Sequence, residues 1–242
     1  MNLPTKKRRA IITGASSGIG RAVALAFAQA DISTALVSRS AEKLTEVATQ
    51  AQEQGAEARV YPLDLAQVRE VKDKLKHIAD DFGPIDILVN NAGMGYTGSL
   101  EQTSLSDWQR VIDLNLTSVF QCIMGVIPGM RMQKRGIIVN VASIAAHNSF
   151  PGWGAYSASK AGLVSLSKTL AEEERANGIR VTIISPGAVN SSLWDTDTVQ
   201  ADFNRSAMLT PQIVAQSILQ TVLLPEAAVV EEMTIMPSAG AL

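Results

Sequence analysis

Short apolar runs recur along the chain, separated by longer stretches in which apolar residues return every three or four positions. The runs Arg9–Thr13, Thr34–Ser38, Ala58–Leu63, Ile85–Val89, Gly136–Val141, Ile179–Ile184 and Val229–Ile235 predict seven strands. Most are apolar without interruption, the pattern of strands covered on both faces. The stretches Ile19–Ala30, Ala41–Gln54, Val68–Phe82, Ser106–Gln133, Tyr156–Ala176 and Pro211–Leu223 carry helical periodicity. Such alternation arises when parallel strands are joined by helical crossovers. The expectation is an α/β fold, a doubly wound, mostly parallel seven-stranded sheet flanked by helices. No linker, repeat or low-complexity tract divides residues 1–242, so a single domain is expected.

Residues 186–210 break the alternation. They read Pro-Gly-Ala-Val-Asn-Ser-Ser-Leu-Trp, then a polar segment with Phe203 and Met208. A long irregular connection in a compact domain is usually functional or disordered. This one follows the carboxyl end of the sixth strand, where open α/β sheets bind ligands, and it is read as a substrate lid.

Composition narrows the function. The chain is 46% hydrophobic, enough for a substantial core. With 21 Lys+Arg against 23 Asp+Glu the net charge is −2, so there is no basic field to draw nucleic acid. No run approaches the about 20 apolar residues that cross a bilayer, and no membrane partner is expected. Cys122 cannot form an intrachain disulfide, and His77 and His147 are too few for a His-based zinc cluster. Metal-free chemistry in a reducing cytoplasm fits best. The start, Lys6-Lys7-Arg8-Arg9 before Ala10-Ile11-Ile12, has the look of a signal peptide, but Gly14, Ser16, Ser17, Gly18 and Gly20 interrupt it at once. It is read as a solvated tail entering a buried strand.

The first strand leads into Thr13-Gly14-Ala15-Ser16-Ser17-Gly18-Ile19-Gly20 and then a helix. Gly14 can make the tight turn, Gly18 lets backbone approach a pyrophosphate, and Gly20 permits close helix–strand packing. The helix N-terminus offers free N–H groups to the anion, so Gly14, Ser16, Ser17, Gly18, Ile19 and Gly20 form a candidate dinucleotide cradle of a Rossmann-type domain. The second strand ends at Ser38-Arg39. An NAD-selective protein would place a carboxylate there for the ribose hydroxyl, whereas the Arg39 guanidinium can pair with a 2′-phosphate, which favours NADP(H). Asp64, beside Leu65 after the third strand, is placed either to cap a turn or to hydrogen-bond adenine.

Tyr156 and Lys160 lie four apart at the start of a helix, hence on one face. A lysine beside a tyrosine, together with a cationic nicotinamide ring, is expected to lower the phenol toward useful acid–base work. With the Thr13–Gly20 loop, Asn90-Asn91-Ala92-Gly93, Asn115, Ser143 and Pro186-Gly187, the set resembles the short-chain dehydrogenase/reductase family from about residue 8 to about residue 237. The resemblance implies that Tyr156 is the general acid/base and that Ser143 holds the substrate oxygen. It further implies that Lys160 binds the nicotinamide ribose and that Asn115 supports a water relay. Asn90, Asn91, Ala92 and Gly93 would brace the cofactor, and Pro186, Gly187, Val189 and Ser191 would flank the nicotinamide. Family members usually carry Thr where this chain has Ser191, which keeps the hydroxyl.

Met94, Tyr96, Ile144, Phe150, Trp153, Leu193, Trp194 and Met208 flank this site in sequence and suggest an apolar pocket for a ketone or aldehyde. His147 reads as solvated or structural rather than catalytic. The resemblance makes 3-oxoacyl-thioester reduction the leading specific expectation and implies a homo-oligomer, a tetramer or dimer, with Met233–Leu242 able to reach a neighbouring subunit. The competing readings are a nonenzymatic NADPH-binding sensor or scaffold, and an NAD-dependent alcohol dehydrogenase.

Overall fold

The computed structural model describes residues 7–201 and 204–240. Lys6 of the basic start, Phe203 of the expected lid and the last two residues of Met233–Leu242 lie outside the described residues. The strands are β1 (Arg9–Thr13), β2 (Ser33–Ser38), β3 (Ala58–Pro62), β4 (Ile87–Asn90), β5 (Gly136–Val141), β6 (Ile179–Pro186) and β7 (Glu232–Ile235). They form one sheet in the order β3-β2-β1-β4-β5-β6-β7, every pairing parallel. The helices are α1 (Gly18–Gln29), α2 (Ala41–Glu53), α3 (Val68–Phe82), α4 (Leu105–Ile112), α5 (Ser118–Gln133), α6 (Gly154–Glu174) and α7 (Pro211–Leu223).

Alternate strand residues feed two cores. Ala10, Ile12, Leu36 and Val89 pack with α1, α2 and α7 on one face. Ile11, Val37, Leu88 and Ile138 pack with α3, α5 and α6 on the other. This is why the strands read as continuous apolar runs: each successive side chain enters a different core, and each fully buried one contributes about 1.5–3 kcal/mol.

Most element boundaries lie within one or two residues of the sequence expectation, and two differences go further. β7 begins at Glu232 rather than Val229, which is exposed after the turn in which Ala228 N–H donates to Pro225 O. The expected helix 106–133 is α4 and α5 joined by a π-helical turn, Asp113–Thr117, that carries Asn115. The run Leu105–Gln133 is long and apolar enough to cross a membrane by length and composition, an 18-residue window within it having a mean hydropathy of 1.5. Val119, Cys122, Ile123, Val126 and Met130 nonetheless bury one face of α5 in the core, as a crossover helix does. Arg131 at its end donates to Glu174 on α6, Nε to Oε2 at 2.9 Å, and that carboxylate is wholly buried. Arg131 and then Asn177 hold Glu174 below the ordinary carboxylate range.

The basic start is tied down where it is described. Lys7 pairs with Asp31, and Arg8 donates to Val222 O at 2.9 Å with burial lowering its pKa. Strand order reverses between β1 and β4, so the loops leaving them part and open a crevice at their carboxyl ends.

Candidate active site

A cleft of about 550 Å³ occupies this crevice. Its near wall is the glycine loop. Gly14 and Gly18 hold φ of 65° and 52°, a left-handed backbone that costs a side-chain-bearing residue about 1 kcal/mol or more. A Cβ on Gly14 would stand 2.8 Å from Asn91 Nδ2. Ser16, Ser17 and Ile19 join the two glycines on the cleft surface. Ser17 caps α1 without a side-chain bond and the first turn holds no acidic residue, so the amides and positive dipole of α1 remain available to an anion.

Gly20 does not line the cleft. A Cβ there would fall 2.3 Å from Gly14 O and 2.6 Å from Asn91 Nδ2, so this glycine lets α1 close on the loop. Gly20→Ala is expected to destabilise the fold by about 1–3 kcal/mol through that overlap, a lowered urea midpoint at unchanged m-value being the readout.

Opposite the glycines lie Asn91, Ala92 and Gly93, held by Thr13. Its Oγ1 accepts from Asn91 N and Ala92 N at 3.0 and 3.1 Å and donates to Val89 O. Asn90 faces away from the cleft, correcting the expectation that it braces the cofactor. Its Nδ2 donates to Asn140 Oδ1 at 2.9 Å, and Asn140 Nδ2 donates to Ser167 Oγ at 2.8 Å. This buried chain links β4, β5 and α6.

Ser143 follows β5 and caps a short helical turn, Ile144–Ala146, accepting from Ala145 N at 3.1 Å. Tyr156 lies in the first turn of α6, close enough to Ser143 for the serine to favour its ionised form. One turn on, Lys160 is buried; its Nζ donates to Val141 O at 2.9 Å and stands 5.8 Å from the Tyr156 ring centroid. Burial lowers the lysine to about 8. Burial also raises the Tyr156 phenol above its ordinary 10, with Ser143 pulling the other way. The expected lowering of the tyrosine by Lys160 is therefore not found: burial dominates, and what opposes it is Ser143 rather than the lysine.

Asn115 does not line the cleft either. It is fully buried behind Gly93, accepting from Met94 N at 2.8 Å and donating to Met94 O and Ser159 Oγ. A Cβ on Gly93 would lie 3.0 Å from Asn115 Oδ1 and 3.7 Å from Lys160 Nζ, so Asn115 sets the backbone that passes over the lysine.

The far end of the cleft is polar. Ser38, Arg39, Asp64 and Leu65 line it as expected, joined by Ser40 and Lys43, which the sequence reading did not single out. Arg39 forms no ion pair with another described residue. The Ser38 hydroxyl is buried without a partner. The signal for Lys43 was its place four residues after Arg39, in the first turn of α2.

At the other end, Pro186, Gly187, Val189 and Ser191 line the cleft. The 186–210 segment is tied down by a Val189–Leu209 bridge and by Arg205, which donates to Asn190 Oδ1, Asp195 Oδ1 and Ser191 O at 2.8, 2.9 and 3.0 Å. Thr198 Oγ1 donates to Gly95 O at 2.7 Å and joins the segment to the loop after β4. Met94, Ile144, Phe150, Trp153, Leu193 and Trp194 face the cleft; Tyr96 and Met208 do not. His147 lies outside it, its Nε2 2.6 Å from Glu232 Oε1 on β7, in keeping with a structural role.

A family model described as short chain dehydrogenase matches residues 8–201. An uncharacterized oxidoreductase of Staphylococcus epidermidis is 32% identical over 232 residues, covering 96% of this chain and 98% of that protein. The 3-oxoacyl-[acyl-carrier-protein] reductase FabG of the same species is 37% identical over 187 residues, 77% of each chain. An alcohol dehydrogenase from the archaeon Thermococcus sibiricus, solved with 5-hydroxy-NADP, superposes with a TM-score of 0.89 at 28% identity, covering 98% of this chain and 99% of that one.

Proposed function

The chain belongs to the short chain dehydrogenase family, an oxidoreductase family, and from that premise we propose that it is an NADP(H)-dependent carbonyl reductase. The observation that carries the reading is the cluster of Ser143, Tyr156 and buried Lys160 at one end of a glycine-walled cleft whose other end holds Arg39.

The residues suit the dinucleotide. The glycine loop leaves room where any Cβ would intrude, the start of α1 would hold the pyrophosphate, and Ser38, Arg39 and Lys43 would supply donors and charge for a 2′-phosphate. When bound, the reduced nicotinamide supplies a hydride. Ser143 and Tyr156 donate hydrogen bonds to the carbonyl oxygen and stabilise its developing negative charge. Tyr156, kept protonated by burial, then gives up its proton. Lys160, with its pKa near 8, is mostly cationic at neutral pH and favours the tyrosinate that remains.

For the substrate we take a β-keto thioester or ester as the first class, supported by the 37% identity to a 3-oxoacyl-[acyl-carrier-protein] reductase. Activity in a reducing cytoplasm, and a homo-oligomer formed over exposed Leu105, Phe120 and Met132 on the α4–α5 run, belong to the same reading.

The test is loss of NADPH absorbance across β-ketoacyl thioesters, β-keto esters, diketones and aldehydes. Turnover with NADPH supports the reductase; NADPH binding without turnover on any of them favours the sensor. Arg39→Asp replaces a guanidinium with a carboxylate beside the 2′-phosphate. It is expected to weaken NADPH binding about 100-fold while changing NADH binding little, measured by fluorescence titration. Equal losses for both cofactors would remove the 2′-phosphate assignment.

A further inference from the structure

Resting on the carbonyl-reductase reading, the geometry points to a narrower substrate: we propose that the ketone bears a neutral planar ring directly beside its carbonyl, received by Trp153 and Trp194. Trp153 stands at the start of α6, three residues before Tyr156. Its ring lies 5.3 Å from that of Tyr156 and 5.9 Å from that of Trp194, both edge-to-face at 70°. Tyr156, Trp153 and Trp194 thus touch ring to ring in that order, and Phe150 lines the same cleft.

The Trp194 indole is fixed before anything binds, its Nε1 donating to Val189 O at 2.7 Å. The Trp153 backbone is held where its N–H donates to Phe150 O at 3.1 Å, and its ring packs between those of Tyr156 and Trp194. Each is only partly buried, so aromatic surface faces the cleft. Aromatic pairs gain beyond their buried area when they stack offset or meet edge to face, and rigid walls cost little ordering on binding. An alkyl chain fills such a space without that gain.

Charge points the same way. Among the described residues lining the cleft, the charged ones are Arg39, Lys43 and Asp64 at the far end and Lys160, whose ammonium is engaged by Val141 O. Among the described residues lining the cleft, none of the other three charged side chains lies at the end that holds Trp153 and Trp194 to pair with a carboxylate or phosphate on the substrate, and desolvating such an anion there would be unfavourable.

The test compares ethyl benzoylacetate with ethyl butyrylacetate, which differ only in phenyl against propyl beside the ketone. The expected kcat/KM favours the phenyl ester by roughly tenfold, and Trp153→Leu and Trp194→Leu each remove most of that ratio. Equal values in the unmodified protein, or a ratio that neither substitution moves, would overturn the ring site while leaving the reductase standing. Binding is read separately by titrating acetophenone into the NADPH complex and following tryptophan emission. Saturable quenching that weakens in Trp194→Leu, with neither ester turned over, would keep the ring site and remove the reductase reading. Quenching that does not saturate overturns the ring site.

Discussion

Tyr156→Phe is expected to lower kcat for carbonyl reduction by about 10³- to 10⁴-fold while NADPH binding stays within about threefold of its original value. The substitution removes one hydroxyl and little else. The ring remains, so its edge-to-face contact with Trp153 and its place in the first turn of α6 persist. What disappears is the donor that completes the alkoxide and one of two hydrogen bonds to the developing charge. Ser143 stays in position, which leaves a residual rate from the remaining donor and from the bound geometry. Steady-state kinetics together with NADPH fluorescence titration separate the two effects. A variant that turned over normally would sink the assignment of Tyr156 as proton donor.

Lys160→Met is expected to lose most of its activity yet be more stable. The lysine titrates near 8 in the folded protein against an ordinary 10.5, so the unfolded chain holds its proton more tightly. The resulting cost to folding is full below pH 8, about 3 kcal/mol, and disappears between pH 8 and about 10.5. Methionine removes that cost but leaves Val141 O without its donor, worth about 1–2 kcal/mol. A net gain of about 1–2 kcal/mol at pH 7 follows, a rise of a few degrees in Tm for a chain of this size, with no gain left at pH 10.5. The activity loss is expected to be about 10²- to 10³-fold. In the unmodified protein the same titration predicts kcat/KM for reduction falling above about pH 8 as the ammonium is lost. Thermal unfolding at both pH values and a pH–rate profile check these points; a Tm that fell at pH 7 would show that Lys160 supports the fold rather than burdening it.

The sheet was legible because its strands are buried on both faces, which writes runs such as Ala10-Ile11-Ile12 and Ile137-Ile138-Val139 directly into the chain. Val229 misled by being apolar yet exposed, since a short apolar stretch does not say whether another strand is in reach. The π-turn at Asp113–Thr117 could not be read, because one added residue per turn leaves the apolar spacing almost unaltered. In the site, the glycines and Arg39 were legible through local geometry. Lys43 and Arg205 were not: a lysine on an exposed helix and an arginine in a polar segment both look solvated until the partners' positions are known. The direction of the Tyr156 shift was also hidden, because it is set by burial and opposed by Ser143, both of which are tertiary, rather than by the charge visible at i+4.

The buried chain from Asn90 through Asn140 to Ser167 constrains how a protein of this design can diversify. It clamps the strand leading to the cofactor loop, the strand leading to Ser143 and the helix bearing Tyr156 and Lys160. Losing any one partner strands the others without hydrogen bonds in a dry interior. Mutational drift there would spoil hydride transfer for every substrate at once. Changes in the turn after Ser143 and in residues 192–201 touch none of these partners. New specificities should therefore arise through those two surface segments, over a framework that evolution can hardly retouch.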